Sequence, residues 1–159
     1  MRITLAAISI LTFGAVLPVS AQSATQVVHF QVDAINRIGV SGTPSLMVTM
    51  STPGSAPTSA VSSANSFAVT TNQTDAKITA SLSAPMPSGL TLSVDLGAPP
   101  GARTTGMQPL GTTPVDLVTS ITKVHASGLS LTYQLDAAPD AGVVSDDTRV
   151  VTYTITAGA

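Results

Sequence analysis

The sequence predicts an all-β fold in which two antiparallel sheets pack face to face. Three observations carry this reading. Apolar residues recur at every second position along most of the chain, and the 3.6-residue period of a helix is nearly absent. Clusters of Pro, Gly and Ser interrupt these runs at short intervals, as turns do in all-β proteins. Between the apolar positions stand mostly Thr and Ser, which suit the solvent face of strands at low charge; Thr is also β-branched.

The first 21 residues are read separately. Met1-Arg2 gives a positive start, Ile3 to Val19 is almost unbroken apolar chain, and Val19-Ser20-Ala21 is a small-residue cleavage pattern before Gln22. Residues 1–21 are therefore expected to be a secretory signal peptide. The apolar run falls short of the roughly 20 residues of a membrane span, which favours a leader over an anchor. Residues 22–159 then make a single β-sandwich domain, long enough to bury roughly two-thirds of the surface of the unfolded chain. No second apolar stretch approaches membrane length, so the exported product is expected to carry no membrane span.

Strands are expected in order. In Gln26 to Ile35, Val28, Phe30, Val32 and Ala34 share one face, opposite His29, Gln31 and Asp33. Leu46, Val48 and Met50 alternate with Met47 and Thr49, and Phe67 and Val69 mark a short run before the turn-rich Thr71 to Asp75. Ile78, Ala80 and Leu82 follow, and then Leu90, Leu92, Val94 and Leu96, the clearest case. Val115 to Ile121 is a weaker candidate; Leu129 to Leu135 and Val151 to Ile155 close the chain. About eight antiparallel strands of this length, with Greek-key connections, describe an immunoglobulin-like β-sandwich. The Cys pair and core Trp of antibody-type domains are missing, so the likeness is one of architecture.

An internal repeat aligns without a gap: Ser88 to Ala102 matches Ser127 to Ala141. Each copy follows a strand, Lys77 to Ser83 and Asp116 to Thr122 respectively. The shared residues are apolar and turn positions, and the repeat is read as two equivalent hairpins.

Composition excludes several classes of function. Only 9% of residues are charged, against roughly 25% in an ordinary soluble domain. A net charge of −2 with six Lys and Arg leaves no basic patch for nucleic acid. The absence of Cys removes disulfides, thiol nucleophiles and thiolate metal sites together. Two histidines, His29 and His125, are too few for an evident transition-metal site, and both read as surface residues rather than bases. No Gly-x-Ser-x-Gly elbow occurs; Gly39-Val40-Ser41-Gly42-Thr43 comes near and ends in Thr. Asp136, Asp140, Asp146 and Asp147 cluster in sequence, but without the spacing of a calcium loop they read as a solvated turn region. Gly97 to Gly101 lacks the Lys-Ser/Thr of a phosphate loop, and Asn72-Gln73-Thr74 fits a glycosylation acceptor by pattern only. The aromatics Phe30, Phe67, Tyr133 and Tyr153 all fall on apolar phases, which argues against an exposed sugar-stacking platform. No enzyme activity and no cofactor are expected.

The leader, the alternating segment to Ile35 and the closing Thr148 to Thr156 are together similar to small exported bacterial β-sandwich surface proteins. The likeness extends loosely to fimbrial subunits and to spore-coat-protein-U-like secreted proteins. It implies a subunit of a surface assembly, although many fimbrial subunits carry a disulfide and this chain cannot. The expectation is an exported structural or adhesive protein, periplasmic or at the cell surface. Its expected partner is a second copy of itself, where a strand carrying Val28, Phe30, Val32 and Ala34 pairs in trans, or a surface protein or glycan; the same strand can also pair in cis within its own sandwich. The alternative is a monomeric secreted binding module that recognises a glycan or protein through the loops Thr52 to Ser66 and Gly97 to Pro114.

Overall fold

A computed structural model describes residues 21–158. The expected leader therefore lies, up to residue 20, outside the described residues. The chain divides into two compact units, Met1–Val32 and Asp33–Ala159. Of the first, residues 21–32 are described, and none belongs to a helix or strand.

The second unit is a two-sheet antiparallel β fold with sandwich-like packing. Its strands are β1 (Asn36–Ser41), β2 (Ala60–Thr71), β3 (Ala76–Leu82), β4 (Leu90–Leu96), β5 (Arg103–Thr104), β6 (Gln108–Pro109), β7 (Val115–Ile121), β8 (Val124–Ala137) and β9 (Val151–Thr156). The first sheet has the order β1-β2-β8-β4-β6 and the second β5-β7-β3-β9. Between them lie Phe67, Ile78, Val94, Leu96, Leu117, Ile121 and Leu131, all essentially without solvent contact. Alternation put these side chains on inner faces, and it is the inner faces that meet.

The repeat proves to be something other than a pair of hairpins. β3 and β4 lie in different sheets, as do β7 and β8, so each repeat unit spans the sandwich. Like then pairs with like: β3 with β7, and β4 with β8. The register shows the symmetry. Val94 and Tyr133 occupy equivalent repeat positions and face each other, and the pair Leu92 with Leu135 is repeated as Leu96 with Leu131. A pseudo-two-fold axis thus passes through Val94 and Tyr133. In the second sheet the equivalent residues Lys77 and Asp116 form an ion pair at 3.0 Å.

The Ser-Gly positions that open each repeated strand separate two costs of a side chain. Gly89 and Gly128 both have left-handed backbone, φ 76° and 65°. A Cβ on Gly128 would meet nothing within 4 Å, whereas one on Gly89 would lie 2.7 Å from the Ala141 backbone. Gly128→Ala is expected to cost about 1–2 kcal/mol, the left-handed penalty alone. Gly89→Ala should cost clearly more, because backbone must move. Chemical denaturation of the two variants checks the difference.

Two phenols tie the sheets together. Tyr153 on β9 and Tyr133 on β8 are joined hydroxyl to hydroxyl at 2.8 Å. Burial, followed by the bond to Tyr133, raises the Tyr153 pKa well above its ordinary value. The neutral phenol is favoured in the folded state, so its stabilising contribution is complete below about pH 10. Above that the unfolded chain loses its proton first, and stability falls by up to about 1.4 kcal/mol per pH unit. Tyr153→Phe should flatten this alkaline limb in denaturation curves, at a cost of about 1 kcal/mol near neutrality for the lost hydrogen bond.

Candidate functional site

Most functional expectation rested on Gln26 to Ile35, and here the structure differs from the sequence reading. The segment is no strand; the first strand begins at Asn36, directly after it. Alternation makes a segment suited to a sheet, but strand geometry requires a neighbour to take up the backbone N–H and C=O groups. Val28, Phe30, Val32 and Ala34 are all exposed, Phe30 at 92%. An aromatic on the apolar phase of such a segment, left almost wholly in water, is the most unusual feature of the described chain.

The segment's exit is held by one side chain. In the β1–β2 register Asn36 faces Thr71, so Ile35 faces Asn72. The Asn72 N–H donates to the Ile35 carbonyl at 3.2 Å, and the Ile35 N–H donates to Asn72 Oδ1 at 2.8 Å. Asn72 Nδ2 in turn donates to the Asp33 carbonyl at 2.8 Å. The amide thereby acts as a peptide unit that prolongs the ladder past the end of β2. Asn72, noted in sequence only for a glycosylation pattern, has its nitrogen engaged in this clamp.

The sheets end differently at their edges. β5 and β6 are two residues each, and β6 contains Pro109, so both are blunt. β1 and β9 are six-residue edge strands, and they approach each other on the same side of the sandwich. On β9, Val151, Tyr153 and Ile155 point to the core and are only half-buried.

Beside the start of β4 and the end of β8 opens a cleft of about 980 Å³. One wall is the run 44–51, the other the run 142–149. Sequence alternation suggested a strand at Leu46 to Met50; the run has no strand pairing, and only Leu46 and Val48 are half-buried. As with the N-terminal segment, the alternating pattern is present and no strand forms.

No family model, curated protein or solved structure matches this chain.

Elsewhere, the polar candidates are not brought together. Asp136 accepts from Ser59 Oγ and from Gln134 Nε2, and Asp147 pairs with Arg149 at 2.8 Å. Hydrogen bonding from the Thr148 backbone, then from Arg149, holds the Asp147 carboxyl below its ordinary value. Among the described residues no group of three or more His, Cys, Asp or Glu is placed to hold a metal. His29 and His125 are both exposed. Of the four aromatics among the described residues, Phe67 and Tyr133 are core, Tyr153 is half-buried, and Phe30 alone is exposed. Nor are the two expected loops free along their length. Residues 60–66 of the first belong to β2, and the second contains β5 and β6. No helix among the described residues is long and apolar enough to cross a membrane.

Proposed function

We propose that this chain is an exported structural or adhesive protein of the cell surface that self-assembles by adding its N-terminal segment as a strand to another copy. On this reading the two-sheet unit is an immunoglobulin-like, Greek-key sandwich, residues 1–21 direct export, and the protein has no catalytic role. The observation that carries the proposal is the exposed, alternating Val28-Phe30-Val32-Ala34 row, joined through the Asn72 clamp to a sandwich with long free edges. Burying the Val and Phe side chains of that row is worth about 1.5–3 kcal/mol each, a sufficient drive for association once backbone pairing fixes the register. A donor at one place and an acceptor at another make a heterologous contact, which need not close and so builds chains. The weak charge of the surface leaves little repulsion between copies.

Size-exclusion with light scattering tests this on the exported chain. Polymer is expected, lost on deletion of residues 22–35, and shortened in the intact chain by that peptide added in trans, which caps acceptors. A monomer that ignores the deletion would reject strand addition and turn attention to binding of glycan or protein through the loops.

A further inference from the structure

We infer that the cleft between runs 44–51 and 142–149 is the acceptor site, and that its occupant is residues 26–32 of a second copy. The inference rests on the strand-addition reading above and names the surface that reading leaves open.

The floor of the cleft is core that has lost its cover. Along β4 the inward row passes from Leu96 and Val94, fully buried, through Leu92 to Leu90, which is half-buried and lines the cleft. The row on β8 runs parallel in burial: Leu131 and Tyr133 are buried, Leu135 and Ala137 are half-buried and line the same cleft. In register these are one surface, since Leu92 faces Leu135 and Leu90 faces Ala137. An inner layer that ends in a trough lined by Leu and Met lacks one layer of apolar side chains.

The walls present backbone. Among the described residues, no backbone–backbone hydrogen bond joins Pro44–Thr49 or Val143–Asp146 to another segment. Each wall also leaves apolar side chains in water, Met47 and Met50 on one and Val143 and Val144 on the other. Two runs with unpaired backbone, separated by an apolar trough, are what a guest strand would complete: its own backbone can pair to a wall while alternate side chains enter the floor. Drawn out as strands, eight residues of wall would span roughly 26 Å and seven of guest roughly 23 Å, so the lengths agree.

The chain itself carries a matching guest, and geometry directs it to another copy. Asn72 holds Asp33 to Ile35 beside the Asn36 end of β1, while the cleft opens beyond the Ser41 end. A reversal at Asp33 would lay residues 26–31 along β1 itself, leaving only residues before 24 to reach Pro44. The apolar row would then miss the trough. From a second copy there is no such constraint. Of the charged groups that line the cleft, Arg149 is paired with Asp147 and Asp146 is left over. The guest row adds no further carboxylate, because Asp33 stays in its own copy's Asn72 clamp.

The chain has no Cys, so introduced thiols report without background. The test mixes full-length Phe30→Cys with full-length Val144→Cys under mild oxidation and identifies linked peptides by mass. Phe30→Cys with Met107→Cys, beside the blunt strand β6, is the control. The Phe30–Val144 link between two chains is expected as the dominant product, with the Met107 link at background. Assembly that persists with no Phe30–Val144 link would overturn the cleft as acceptor and leave strand addition standing. Absence of any assembly in the unsubstituted chain would remove both. A doubly substituted chain that links within one monomer would overturn the second copy as occupant.

Discussion

Phe30→Asp is expected to abolish self-association while leaving the thermal unfolding of the sandwich unchanged. The two halves of this result have separate causes. Phe30 is 92% exposed in the single chain, so removing its ring forfeits no burial there. In the assembly the ring is the largest group on the apolar row. Losing its burial costs about 3 kcal/mol, or roughly a hundredfold in Kd. The carboxylate adds a desolvation penalty on top, because the proposed trough offers Leu90, Leu135 and Met86 and no free cation. Phe30→Leu serves as the companion, keeping most of the apolar area and so most of the assembly. Light scattering reads association, and a melting curve in the same samples reads fold. An Asp variant that still polymerises would take Phe30 out of the contact. One that melts lower would place the ring inside its own sandwich.

Much of this fold was legible in sequence, and the gaps have physical reasons. β3, β4, β7, β8 and β9 were each marked by inward rows of large aliphatic or Tyr side chains, and burial at those positions follows the rows. β2 was seen only at Phe67 and Val69. Its first half, Ala60 to Ser66, reads Ala-Val-Ser-Ser-Ala-Asn-Ser, and a register shift in its pairing with β8 falls between Ser62 and Asn65, where no alternation could survive. At that shift Asn65 is buried, its amide donating to Ser62 Oγ at 3.0 Å, a polar solution that hydropathy cannot signal. β1 was overlooked because Gly39 interrupts Ile38 and Val40, while a stronger pattern lay immediately before it. That stronger pattern, Gln26 to Ile35, and Leu46 to Met50 both read as strands, and neither forms one. Periodicity reports which face of a segment wants burial; it says nothing about which molecule provides the cover. The Asn72 clamp was equally silent, since a side chain standing in for a peptide group has no spacing signature.

The second large effect is expected in the core, at Ile78→Ala and Leu117→Ala. The two residues occupy equivalent repeat positions on β3 and β7, and both are completely buried. Each truncation should cost about 2–5 kcal/mol, the transfer loss plus the cavity left behind. That is a large share of a typical stability of about 5–15 kcal/mol, and no disulfide is present to constrain the unfolded chain. The adjacent Lys77–Asp116 ion pair makes the contrast. Its side chains are nearly half exposed, so Lys77→Ala should cost no more than about 1 kcal/mol. Both pairs straddle the same pseudo-two-fold relation, so a difference between them isolates burial from position. Because β3 and β7 are hydrogen-bonded neighbours, the double variant Ile78→Ala/Leu117→Ala should depart from the sum of its singles. Urea denaturation of the four variants in the background of the 22–35 deletion measures these costs free of any contribution from assembly. Equal losses at Lys77 and Ile78 would mean that the second sheet is held by its outer face as much as by the layer between the sheets.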